Sequence, residues 1–223
     1  MKYILIISLC LLTSCATKEI APISAPSSTG KVIIALGDSL TAGLWLPESD
    51  SYPSQLEKKL RGLGYNYRLQ NAGVSGDTSA GLLARMDWIL DGANPPDKGG
   101  WGGFVLAIVC IGANDAFQGK SVTDIEKNLR SIIEKIQSKN IPILLTGMRA
   151  PFNLGMEYRN QYDALFEKLA KEYHLAFMPF FLEGVALKSD LNQDDRIHPT
   201  ASGYAIIVGH LVTILEDKKL LKK

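Results

Sequence analysis

Lys31-Val32-Ile33-Ile34-Ala35-Leu36-Gly37-Asp38-Ser39-Leu40 is the stretch on which the fold turns. Residues 32–36 form an unbroken apolar run that stops at a glycine, the pattern of a strand buried on both faces of a parallel sheet. The same unit recurs downstream as a short apolar run, a punctuating residue and a longer amphipathic segment. Ser51-Tyr52-Pro53 predicts a helix start, with Ser51 as cap and Pro53 in the first turn. A weaker strand is expected over 67–70, ending at Asn71-Ala72-Gly73, then a helix over 78–90 and the clearest strand over 104–111. Ile125, Leu129, Ile132, Ile133 and Ile136 recur at spacings of three and four and predict a helix over 124–139. A strand over 141–146, a helix over 157–173, a short fifth strand over 176–178 and a helix starting at Pro199 complete the order. Strands alternating with crossover helices imply an α/β fold, a parallel sheet covered on both faces. In such sheets the reactive groups gather beyond the carboxyl ends of the strands.

The chain has 223 residues, 46% hydrophobic and 21% charged, with a net charge of +1. This balance suits one domain, placed at residues 31–223, and argues against nucleic acid as a partner. The first residues read differently. Lys2 precedes an apolar run over 4–12 that is too short to span a bilayer, and the run leads into Leu12-Thr13-Ser14-Cys15. That tetrapeptide resembles the lipobox of bacterial lipoproteins. The resemblance implies removal of a signal peptide over 1–14, lipidation of Cys15, and anchoring in a membrane of the cell envelope, at the periplasmic face or the cell surface. An ordinary secretory signal is the other reading of the same residues. Residues 16–29, rich in Ala, Pro, Ser and Thr, read as a flexible tether. Cys10 would leave with the signal, and Cys110, inside an apolar run, reads as a buried hydrophobe.

Four polar stretches follow the expected strand ends. Ser39 follows the first strand, and a serine there is ordinarily a helix cap. Asn71-Ala72-Gly73-Val74-Ser75-Gly76-Asp77-Thr78-Ser79 follows the second, and Gly112-Ala113-Asn114-Asp115 the third. Either of these serves equally as a plain turn. The fourth is more telling. Of three histidines, His174 and His210 fall on helical segments, whereas His198 stands in Asp195-Arg196-Ile197-His198-Pro199. An Asp three residues before a His can orient the imidazole, which supplies the base an unactivated serine needs. The backbone N–H groups of Ser39 and Gly73 and the Asn114 amide are the candidate oxyanion donors. One such donor typically contributes about 3–4 kcal/mol to the transition state.

Taken together, Gly37-Asp38-Ser39-Leu40, Gly73, Gly112-Ala113-Asn114-Asp115 and Asp195-Arg196-Ile197-His198-Pro199 resemble the successive blocks of the SGNH (GDSL) hydrolase family, in the family's order. The resemblance implies Ser39 as nucleophile, Asp195 and His198 as its partners, and Gly73 and Asn114 as oxyanion donors. The stretches Ser39-Leu40-Thr41-Ala42-Gly43, 71–79, Gly147-Met148-Arg149-Ala150-Pro151 and Pro179-Phe180-Phe181-Leu182 are closest to the bacterial arylesterase, lysophospholipase and acyl-CoA thioesterase branch. This implies a three-layer α/β/α flavodoxin-like sandwich with about five parallel strands. It also implies a monomer without metal or cofactor, acting on short to medium acyl esters or thioesters. Glycan or cell-wall O-deacetylation and a non-catalytic binding role are the alternatives. Residues 97–103 look like an insertion before the third strand, and Arg196 replaces a small residue usual beside the Asp. Leu44, Trp45 and Leu46 suit an acyl pocket or core packing equally. Met148, Arg149 and Phe152 should border the site after the fourth strand, where Arg149 either meets an anionic headgroup or pairs with a nearby acid. No Gly-x-Ser-x-Gly elbow and no His-x-x-x-His pair is present, which weighs against an α/β-hydrolase and against zinc hydrolysis.

Overall fold

β1, Lys31–Gly37, is buried from Val32 onward, as its unbroken apolar run requires. The computed structural model describes residues 31–91 and 103–223. The expected signal peptide, Cys15 with its tether, and all but the last residue of the 97–103 insertion lie outside the described residues. Four more strands join β1: β2 (Tyr67–Gly73), β3 (Phe104–Cys110), β4 (Ile143–Thr146) and β5 (Ala176–Met178). They form one parallel sheet in the order β2-β1-β3-β4-β5. The central strands β1, β3 and β4 are almost wholly buried, while the edge strands are half-buried. That explains why β2, carrying Arg68, Gln70 and Asn71, gave the weaker strand signal and runs three residues further than expected.

Among the described residues seven α-helices accompany the sheet: α1 (Ser39–Ala42), α2 (Tyr52–Gly62), α3 (Ser79–Asp91), α4 (Ala113–Phe117), α5 (Val122–Gln137), α6 (Met156–Glu172) and α7 (Ala201–Asp217). α2 packs on α7, while α5 packs on both α3 and α6. This is the expected three-layer α/β/α arrangement. α5 buries Ile125, Leu129, Ile132, Ile133 and Ile136, the face its spacing predicts, and Ser121 caps it by accepting the Asp124 N–H at 3.1 Å. The short helices α1 and α4 were invisible to periodicity, because four or five residues complete barely one turn.

Two local expectations are corrected. Ser51 stands at the cap position of α2 but its side chain accepts no backbone N–H of the helix; its hydroxyl donates to the Glu48 carbonyl at 2.7 Å and lies 3.3 Å from the Ser54 hydroxyl. Pro199 does not begin the last helix. It pairs with Asn192 in an antiparallel bridge, and α7 starts two residues later behind Thr200, whose Oγ1 accepts the Gly203 N–H at 3.2 Å.

The sheet aligns the places where chemistry was expected. Gly37 is in register with Gly73 on one side and with Cys110 on the other. The chain leaves β1 toward β2 on one flank and returns to β3 on the other, so the winding reverses here. A crevice opens at such a switch point beyond the carboxyl ends of the strands.

Candidate active site

Ser39 is the first residue of α1, immediately beyond β1, and is 8% exposed. Asp38 caps this single turn by accepting the Leu40 N–H at 3.0 Å. The Ser39 N–H, one of the unpaired donors at a helix start, has no acceptor among the described residues. The Ser39 hydroxyl lies 2.8 Å from His198 Nε2. His198 Nδ1 meets Asp195 Oδ2 in a short hydrogen bond. With Asp195 accepting from Nδ1–H, Nε2 is left to accept the Ser39 proton. The other Asp195 oxygen accepts the N–H groups of Ile197 (3.0 Å) and His198 (3.1 Å). Burial raises the Asp195 pKa, but the bonds from the His198 ring and these two N–H groups outweigh it and hold the carboxyl below its ordinary value.

The loop carrying His198 is tied down at several points. Gln193 donates its N–H to the His198 carbonyl at 2.8 Å, and its side-chain amide reaches the carbonyls of Leu44 and Pro199, each at 3.0 Å. Thr200 N–H donates to the Leu191 carbonyl, and the buried Tyr204 hydroxyl donates to the Leu40 carbonyl at 2.8 Å. α7 is thereby fastened to α1, and His198 is carried to Ser39. Nothing in the sequence marks Gln193 for this task.

The oxyanion donors are arranged differently from expectation at one position. The Gly73 N–H donates to Asn71 Oδ1 at 3.0 Å, so it is engaged. Gly73 instead has a packing role: a Cβ there would lie 2.2 Å from the Ala42 nitrogen, and only glycine lets α1 sit so close to β2. Beyond it, residues 74–77 form a turn closed by Asp77 N–H to the Val74 carbonyl at 3.0 Å. Gly76 is its third residue, with φ +87°, a conformation that favours glycine. The Gly76 N–H has no acceptor among the described residues. Asn114, in the first turn of α4, donates one amide hydrogen to the Asp77 carbonyl at 2.8 Å, and the other has no acceptor among the described residues. Asp115, buried, accepts the Ser79 N–H (2.7 Å) and hydroxyl (2.6 Å), which fastens α4 to the start of α3.

The expected pocket residues divide. Trp45 is 69% exposed and presents an edge-on contact to the His198 ring, with centroids 5.6 Å apart. A shallow depression beside that ring is lined by Trp45, Gln193, Asp194 and Asp195. Leu44 is half-buried, with its carbonyl taken by Gln193, and Leu46 packs against the core. Met148 is a correction: it is buried within the core and does not line an open site. Arg149 is exposed, lies over the Phe180 ring at 4.5 Å and has Glu183 at 3.9 Å, so it is paired with a nearby acid. Phe152 is exposed, with the Arg159 guanidinium over its ring at 4.4 Å. Arg196 adopts a left-handed conformation (φ +60°) on the exposed side of the loop. Cys110 is fully buried, and burial pushes its thiol well above the ordinary value. Among the described residues no group of three or more His, Cys, Asp or Glu is placed to hold a metal ion.

Residues 35–206 match the model of the GDSL-like lipase/acylhydrolase family. The chain is 33% identical over 189 residues to esterase TesA of Pseudomonas aeruginosa, spanning 85% of this chain and 88% of that protein. It is also 33% identical over 190 residues to thioesterase 1/protease 1/lysophospholipase L1 of Escherichia coli K12, spanning 85% and 86%. Among solved structures, AlinE4, an SGNH-hydrolase family esterase, superimposes with a TM-score of 0.69 at 44% identity, covering 85% of this chain and 96% of that one.

Proposed function

The chain belongs to the GDSL-like lipase/acylhydrolase family and is a serine-dependent carboxylic ester hydrolase; on that premise we propose that Ser39 is its nucleophile. The observation that carries this reading is the hydrogen-bonded chain from Ser39 Oγ to His198 Nε2 and from His198 Nδ1 to Asp195. As Ser39 Oγ attacks the acyl carbonyl, its proton passes to Nε2, and the imidazolium forms beside an ionised Asp195. The carbonyl oxygen takes up the charge. It is met by the Ser39 N–H, by the free hydrogen of the Asn114 amide, and by the N–H of Gly76 in place of Gly73. The imidazolium then protonates the departing alcohol or thiol, leaving the acyl group as an ester on Ser39. Water, deprotonated by the same Nε2, hydrolyses that ester and releases the acid.

The substrates are short to medium acyl esters, with thioesters as a second class. This is supported by relatives named esterase and thioesterase/lysophospholipase. The enzyme works as a monomer, and Cys15 carries a lipid anchor. The test is a panel of p-nitrophenyl esters and acyl thioesters of graded length beside Ser39→Ala. Loss of a triad member typically lowers kcat by about 10⁴–10⁶, so the variant should be inactive on every substrate in the panel. Hydrolysis that survives in Ser39→Ala would overturn the assignment.

A further inference from the structure

Arg85 lies on α3, away from the Ser39–His198–Asp195 chain, with its side chain only 21% exposed. Its Nε donates to Asp77 Oδ2 at 2.8 Å, and its Nη2 donates to the carbonyls of Ala72 (2.8 Å) and Gly37 (3.1 Å). One guanidinium thus holds the last residue of β1, the end of β2 and the last residue of the 74–77 turn. The turn is also tied at its start, where the Val74 N–H donates to the same Gly37 carbonyl at 3.0 Å. At its end the Asp77 backbone carbonyl receives the Asn114 amide. Gly76 therefore sits between two anchored residues, and both anchors run through Arg85 or through the carbonyls it holds.

We propose that Arg85 is a positioning residue for the oxyanion hole: it fixes the turn that aims the Gly76 N–H and orients the Asn114 amide. The inference rests on the assignment of Ser39 as nucleophile and of this turn as part of the hole. Three fixed donors in a planar fork match three acceptors that no ammonium satisfies together, so Arg85→Lys is not conservative here. Donors in an oxyanion hole act only if they are already in place when charge develops, so loosening them weakens the transition state more than the bound substrate.

The experiment compares the full-length chain with Arg85→Met and Arg85→Lys, using a p-nitrophenyl ester well below the melting temperature of each. Expected is a fall in kcat of about 10–100-fold for Arg85→Met, a smaller one for Arg85→Lys, and KM within about threefold of wild type. The pH profile should keep its shape, because His198 and Asp195 are untouched. Inhibition by a boronic acid that adds to the serine as a tetrahedral adduct should weaken by the same factor as kcat. A third variant, Arg85→Ala, should lose activity like Arg85→Met, and millimolar guanidinium should restore part of it while leaving wild type unchanged. A merely structural arginine would move melting temperature without separating kcat from KM or boronate affinity. Wild-type kcat and boronate affinity in folded Arg85→Met would overturn the proposal, and if Arg85→Met does not fold, the same result in Arg85→Lys does so. If instead Ser39→Ala retains activity, the nucleophile assignment fails, whatever Arg85 shows.

Discussion

Asp38 precedes Ser39 and is 1% exposed; one oxygen accepts the Leu40 N–H, and the other has no partner among the described residues. Burial pushes its carboxyl from 3.8 up to about 7, with the Leu40 bond opposing and the charges of Asp115 and Asp77 reinforcing the rise. The consequence for stability follows from proton counting. Below the ordinary carboxylate value both folded and unfolded chains hold the proton. As pH rises toward 7 the unfolded chain releases it and the folded chain keeps it, so stability falls across that window and levels off above it. A displacement from 3.8 to about 7 corresponds to on the order of 4 kcal/mol at full ionisation. Asp38→Asn, which retains an acceptor for the Leu40 N–H, should abolish this decline. Urea unfolding at pH 4.5, 6 and 8 should show wild type losing stability relative to the variant, and parallel curves would rule the effect out.

At the scale of elements, His198 is delivered by a loop braced between an antiparallel bridge, Asn192 with Pro199, and the capped start of α7. Thr200→Ala removes the hydroxyl that accepts the Gly203 N–H, and such a cap is worth about 1 kcal/mol. The expected result is a lower urea midpoint with kcat little changed, because Gln193 holds the His198 carbonyl and the Leu44 carbonyl independently. A collapse of kcat at unchanged stability would show instead that the cap itself aims the imidazole. These elements also show what a sequence can reveal. Ser39, Asp195 and His198 were legible because each lies next to a strong local signal: a buried strand, or an Asp-x-x-His turn before a helix. Gly73 and Gly76 lie in one glycine-bearing segment, and local pattern does not separate them. The choice depends on Asn71 engaging one N–H and on the close approach of α1 to β2, which only the fold creates. Arg85 reads as an ordinary polar position on α3, yet its acceptors Ala72 and Gly37 lie 13 and 48 residues away in sequence. Met148 was placed by its position after a strand, but its apolar side chain is buried and joins the core.

For the whole molecule, the lipid anchor proposed on Cys15 can be tested apart from the active site. Among the described residues no helix is long and apolar enough to cross one. The net charge of +1 over 223 residues provides little attraction to anionic lipid, where each basic residue near the surface contributes only about 1 kcal/mol. The proposed anchor therefore rests on Cys15 at the end of Leu12-Thr13-Ser14-Cys15. Acyl chains add about 0.8 kcal/mol per buried methylene, and one chain alone binds only reversibly, so a stable anchor needs more than one. Cys15→Ala removes the attachment point without touching any residue assigned to the active site. Expressed in a bacterial host, the wild-type protein should sediment with membranes and be released by detergent. Cys15→Ala should move to the soluble fraction or remain unprocessed, while its ester hydrolysis per molecule stays that of wild type. Unchanged sedimentation of a processed Cys15→Ala protein would refute the lipid anchor and return residues 1–14 to an ordinary secretory signal.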